Sequence, residues 1–148
     1  MPDDKPPFDW DHVHVGQRFA NEFDLTPEMV AEYTHGVDDQ TEWWRGDSPF
    51  GGPVAPPLML SHLMAKVSAN DFAPTSGRVH TSSSTQVVEP VRVGQRIRIE
   101  GEITEKYIKR GRRYFRMTCH AFGEAGNELL REERESLFSL QKVEGEGT

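Results

Sequence analysis

Cysteine is nearly absent. Cys119 stands alone in 148 residues, which excludes an internal disulfide and leaves no thiolate cluster for a structural zinc. Long apolar runs are missing too: no segment approaches the roughly 20 apolar residues that cross a bilayer as a helix. The opening MPDDKPPFDW has neither the basic start nor the hydrophobic stretch of a secretory leader. A cytoplasmic protein with no membrane partner is therefore the expectation. Positive charge is also scarce, with 17 Lys and Arg against 24 Asp and Glu and a net charge of −7. That balance disfavours nucleic acid as a partner. No glycine-rich phosphate loop leads into a helix, no serine elbow is flanked by glycines, and the histidines have no metal-ligand spacing. Neither a cofactor nor a metal is expected. A chain of this length is most simply one domain with its own core.

What is present changes character half-way along. Residues 1–14 begin charged and proline-rich and read as a flexible arm, residues 15–142 as the single domain, and residues 143–148 as a flexible tail. VGQRFANEFDL reads as a short strand. A helix then starts with Thr26 as N-cap, Pro27 at the first helical position and Glu28 in the first turn, and Gly36 is placed to end it. From Val37 to Pro57 prolines and glycines break any period, giving a long loop of the kind that is usually functional or mobile. PPLMLSHLMAKVSAND follows and reads as a largely buried helix from about Pro57 to Ala69. Four runs with a period nearer two come next, including RIRIEGEI, where Ile97, Ile99 and Ile103 alternate with charge and Gly101 interrupts. ELLREERESLF has helical acid–base spacing as well as strand alternation. Its position after the turn FGEAGN favours a strand. The expectation is an α+β domain in which an antiparallel sheet of about five strands covers one apolar helix. An open sheet edge points to pairing with a second chain.

Three stretches carry a family resemblance: VGQRF, YTHGVDDQTEWW…SPFGGPVAPPLML, and HTSSSTQVVEPVRVGQRIRIEGEI. Together they resemble the hotdog-fold hydratases and dehydratases, the MaoC-like or (R)-specific enoyl-CoA hydratase group. The resemblance implies a hotdog fold, an antiparallel sheet wrapped around a central helix. It also implies a hydratase or dehydratase (lyase) acting on an acyl thioester or a related small hydrophobic substrate. Partners would be acyl-CoA, a carrier-bound acyl chain or another small hydrophobic molecule, and a second hotdog chain in a homodimer or heterodimer. Active members use Asp-x-Asn-Pro-x-His after the short helix. Laid on that motif, this chain has Asp38 at the aspartate and Trp43 at the histidine; the register beginning at Asp39 puts Trp44 there instead. The His-Gly pair that supplies a backbone N–H at the central helix falls on Pro56-Pro57, and Pro57 has no N–H. Two further readings stay open. One is a noncatalytic hotdog subunit completing the tunnel of a partner with the intact Asp/His pair; the other is an acyl-CoA thioesterase.

Asp38 and Asp39 are the carboxylate candidates for catalysis, against a plain role in capping turns. His80, on a strand with Arg78 at the alternate position, is the candidate to replace the missing histidine. His62 is a weaker one. Trp43 and Trp44 are expected to line or lid a substrate tunnel walled also by Gly51, Gly52, Val54, Ala55 and Leu58. Gly51 and Gly52 would let backbone approach a ligand, and Arg78 joins the binding set. EKYIKRGRRYFR is expected to form a solvated hairpin tip, with Lys109, Arg110, Arg112 and Arg113 near the surface.

Overall fold

A computed structural model describes residues 4–74 and 77–143. Five long strands form one antiparallel sheet: β1 (Arg18–Asp24), β3 (Val79–Val87), β5 (Arg96–Lys109), β6 (Arg112–Phe122) and β7 (Glu128–Leu137). They lie in the order β1-β5-β6-β7-β3, so β1 and β3 are the edges. Two short strands, β2 (Val54–Ala55) and β4 (Val91–Arg92), pair apart from it. Helix α1 (Pro27–Gly36) follows β1, and helix α2 (Pro57–Met64) packs on the sheet. Single 3-10 turns occur at Glu42–Trp44 and Val67–Asn70.

Local chemistry accounts for these elements. Thr26 Oγ1 accepts the Met29 backbone N–H at 3.2 Å, satisfying one of the free donors at the start of α1. Alternation on β5 buries Ile97, Ile99 and Ile103 and turns Arg96 and Arg98 outward. Gly101 falls on the same inward face. A Cβ there would lie 3.0 Å from Val67 Cγ1 and 3.3 Å from Met117 Sδ. The break in the isoleucine pattern is thus the seat of the turn after α2. Met59, Leu60, Met64 and Val67 pack with the three isoleucines, Phe115, Met117 and Leu130 as one core.

The structure departs from the sequence reading at three places. α2 stops at Met64 rather than Ala69, and the chain continues as the Val67–Asn70 turn, which directs both Val67 and Ser68 into the protein. Residues 1–14 are not a free arm from Pro6 onward. The Ala73 N–H donates to the Pro6 carbonyl at 2.9 Å, and Val13 is fully buried. Phe8 packs against Phe72, Phe115 and Phe138 with ring centroids 5.1, 5.0 and 5.7 Å away. The reason is reach: eight helical residues span about 12 Å, whereas the 14 residues of β5 run for about 47 Å. The arm and Phe138 cover the sheet where α2 cannot. Arg113, expected near the surface, is partly buried, with its guanidinium carbon 5.3 Å from the Trp10 ring centroid. The expected tail lies outside the described residues apart from Val143, whose N–H donates to Gly111.

Candidate functional site

The loop between the helices is pinned. Arg92 donates to the carbonyls of Phe50 and, at 3.3 Å, Gly51, while Ser48 Oγ donates to the Gly52 carbonyl at 2.6 Å. Gly51 and Gly52 take φ values of +80° and +110°, which side chains resist, so the clamp depends on both being glycine. The Trp43 ring stands edge-on to Trp44 and Phe50, at 6.5 and 5.8 Å between centroids. With Val54, Ala55, Pro57 and residues 87–91 they line an apolar groove of about 290 Å3. Gly51 and Gly52 shape the loop without lining this groove. Leu58 points away, 63% exposed. Prolines 56 and 57 open α2, leaving Leu58 as its first residue with a backbone N–H to offer.

The two aspartates lie outside the groove lining. Asp38 is exposed and takes a left-handed backbone (φ 55°), a conformation short polar residues tolerate best after glycine. Asp39 accepts hydrogen bonds from the Thr41 hydroxyl at 2.6 Å and the Thr41 N–H at 3.0 Å, closing a turn on itself. Those two donors, with the nearby Trp44 indole acting in the same direction, hold its carboxyl below the usual range. The Trp44 Nε1–H is itself buried and has no partner in bonding geometry among the described residues. Capping, the plainer of the two roles open to this acidic pair, is what Asp39 performs.

The other candidates gather at the opposite end of β3. Arg78 donates to the Ala65 carbonyl at 2.9 Å, and its guanidinium carbon lies 4.4 Å from the Phe8 ring centroid. His80 faces Arg134, with Nδ1 3.5 Å from a guanidinium nitrogen. Burial and the Arg134 charge lower its pKa, so the imidazole is neutral near pH 7. Arg78, His80, Arg134 and Ser136 share a cavity of about 120 Å3 walled by Ala65, Phe115 and Met117. His80 and Val87 are seven residues apart on β3, about 23 Å at strand rise. The structure therefore separates the expected site residues into a tryptophan group and an Arg78/His80 group. His62 is exposed, its ring 6.4 Å from Tyr33.

A buried polar group between these two ends escaped the sequence reading. Glu132 on β7 accepts from Ser61 Oγ of α2 and Thr85 Oγ1 of β3, both at 2.6 Å, and from Arg134 at 2.6 Å. Its carboxylate is fully enclosed. The i, i+2 spacing of Glu132 and Arg134 was the available signal, hidden because REERE places charge on both faces of a strand. On the outer face Glu135 accepts from the Tyr107 and Thr81 hydroxyls, and these bonds hold its carboxyl down at about 2. Tyr107 and Tyr114 stack at 5.3 Å, with Lys109 4.7 Å from the Tyr114 ring centroid. Much of the basic hairpin's charge is thus engaged within the chain. Among the described residues no three His, Cys, Asp or Glu converge as a metal site, and no helix is long and apolar enough to cross a membrane.

The architecture recurs in solved structures. The (R)-hydratase PhaJ1 from Pseudomonas aeruginosa superposes with a TM-score of 0.76 at 18% identity, covering 93% of this chain and 89% of that one. The chain has the hotdog fold. A MaoC-like dehydratase from Rhodospirillum rubrum shares it (TM-score 0.68, 15% identity, 90% and 99% covered). So does a chain of the ChsH1-ChsH2 complex from Mycobacterium tuberculosis (TM-score 0.68, 12% identity, 84% and 98% covered). No protein-family model and no curated protein sequence matches. The fold expected from the three sequence stretches is present, with α2 as the helix the sheet covers.

Proposed function

We propose that this protein is a hydratase- or dehydratase-type lyase for an acyl thioester or a related small hydrophobic substrate, with a site completed by a second hotdog chain. The observation that carries the reading is the division of the candidate residues between the two ends of one exposed edge strand. Eight of the nine residues of β3 are exposed, and its middle, SSST, is polar rather than a flat apolar edge. Two copies pairing antiparallel about Ser83 and Ser84 would oppose positions whose numbers sum to a constant. His80 of one copy would then face Val87 of the other, beside the tryptophan groove.

Hydration of an enoyl thioester needs a group that accepts a proton from water, a donor for the α-carbon, and hydrogen bonds to the oxygen where enolate charge develops. A neutral His80 can exchange the proton, and the apolar groove can hold the acyl chain. The (R)-hydratase and dehydratase structures that share the fold support this class of reaction. Loss of enoyl thioester absorbance over a series of chain lengths tests it, with His80→Ala and Trp43→Ala each expected to abolish turnover. Mixing the two inactive variants should restore about a quarter of the wild-type rate, because half of the random dimers then hold one intact site of two. Failure of the mixture to recover any rate would place His80 and the groove in the same chain's site or in none.

The second reading is a noncatalytic subunit beside a partner with the intact Asp/His pair. Exposed Asp38, self-capping Asp39 and a tryptophan at the motif's histidine position favour it, and two-protein hotdog assemblies such as ChsH1-ChsH2 exist. Turnover by the purified homodimer would exclude it. A thioesterase reading has less support: α2 carries no carboxylate, and Glu132, which reaches α2 through Ser61, is already bonded to three groups.

A further inference from the structure

We infer that the cavity at the Arg78 end of β3 is a binding site for a carboxylate. Arg78 and Arg134 both line it, together with His80 and Ser136. Only one of the two guanidinium groups has an anionic partner: Arg134 bonds Glu132 at 2.6 Å, whereas Arg78 bonds a neutral carbonyl, that of Ala65. Among the described residues no carboxylate contacts Arg78. Two guanidinium groups lining one small cavity repel each other, and burial together with the Arg134 charge disfavours the charged form of Arg78. The remaining Arg78 N–H groups can only donate, and an anion entering the cavity would offer them charged acceptors. Stacking on Phe8 positions the fork without satisfying those donors.

The charge count selects the ligand. Two arginines less Glu132 leave one net positive charge, and the imidazole adds none while neutral. Lys66 lines an adjoining cleft of about 360 Å3 that shares Ala65 and Arg78 with the cavity. The α2 C-terminal carbonyls oppose an anion, but the Ala65 carbonyl is already occupied by Arg78. Within the cavity itself, which Lys66 does not line, a monoanion is matched and a phosphate dianion is not. The planar fork suits two carboxylate oxygens, and Ser136 can donate to one of them. At about 120 Å3 the space equals roughly four waters of liquid volume, enough for a carboxylate and one or two methylenes against Phe115 and Met117. The site stands whether or not the protein is a lyase, since its parts are contained in one chain. If the lyase reading holds, the carboxylate belongs either to a free short acid or to the far end of a dicarboxylic substrate.

Titrating the full chain with sodium propionate, propionamide and inorganic phosphate at constant ionic strength tests the inference, with the His80 imidazole resonances as readout. Propionate should shift them saturably, propionamide should not, and phosphate should bind more weakly than propionate. Arg78→Gln should weaken propionate about tenfold, the size expected for a lost charged hydrogen bond. If that variant does not fold, Arg78→Lys and Ser136→Ala carry the same comparison, each expected to weaken binding. Equal shifts with propionamide, tighter binding of phosphate, an absence of saturation, or unchanged propionate binding in a folded variant would overturn the site. A test of source follows: a dicarboxylic monothioester should compete with propionate, whereas the unsubstituted acyl thioester should not.

Discussion

The two ends of β3 are built from opposite materials. At Val87 the strand meets two tryptophans, a phenylalanine and a run of aliphatic residues around an open apolar groove. At Val79 it meets two guanidinium groups, an imidazole and a serine around a smaller cavity. The apolar end is held by backbone clamps on a loop; the polar end is held by side chains of the sheet and α2. Between them lies Glu132, which ties α2, β3 and β7 together. One edge strand thus presents an apolar groove at one end and a charged cavity at the other, too far apart to meet within one copy.

The largest effect is expected from cutting that central joint. Glu132→Ala leaves Arg134 buried without its partner and should cost about 3–5 kcal/mol in urea unfolding. The double variant Glu132→Leu with Arg134→Met should recover much of that loss. Next, Gly101→Ala should destabilise by about 1–3 kcal/mol, because the new methyl meets Val67 at 3.0 Å. Its disturbance should reach the Arg78 end through the turn after α2. The His80 resonances should therefore move while Trp43 and Trp44 fluorescence stays unchanged, and a change confined to the tryptophans would contradict the separation of the two ends.

Acid should distinguish the ends as well. The Glu135 carboxyl is depressed to about 2 by the Tyr107 and Thr81 hydroxyls. Its contribution is complete above the ordinary carboxylate range and is lost as pH falls from about 4.5 toward 2. Thr81 lies beside His80, so amide exchange should rise there within that window before it rises at Val87. Glu135→Gln should remove this pH dependence. The smallest effect on stability belongs to Trp43→Ala: the ring is 42% exposed, and the change should fall within about 0.5 kcal/mol. Binding of an apolar fluorescent dye to the groove should nevertheless be lost.

Much of this arrangement was legible in the residues. The Thr26-Pro27-Glu28 start, the isoleucine alternation broken at Gly101, and the turn FGEAGN each specify local structure through one physical rule. The three motif stretches implied the hotdog fold that the chain adopts. The site was less legible. Asp38 and Asp39 are the same residue type side by side, and only the fold shows that Asp39 is bonded to Thr41. The proline-rich start gave no indication that Phe8 would seal the core.

What the sequence by itself determined is where the chain turns, which strand faces are apolar, and that a loop with two tryptophans precedes a buried helix. Those properties depend on neighbours a few residues away, through capping, φ preference and side-chain alternation. Only the tertiary structure decided which charges are buried and which candidates share a space. Glu132 looks like its neighbours in REERE, and becomes a core residue because Ser61, Thr85 and Arg134 converge on it from α2, β3 and β7. Arg78 acquires its setting in the same way, from a carbonyl 13 residues earlier and an aromatic ring of the N-terminal segment. Burial and charge pairing depend on the distances among segments remote in the chain, and folding alone sets those distances.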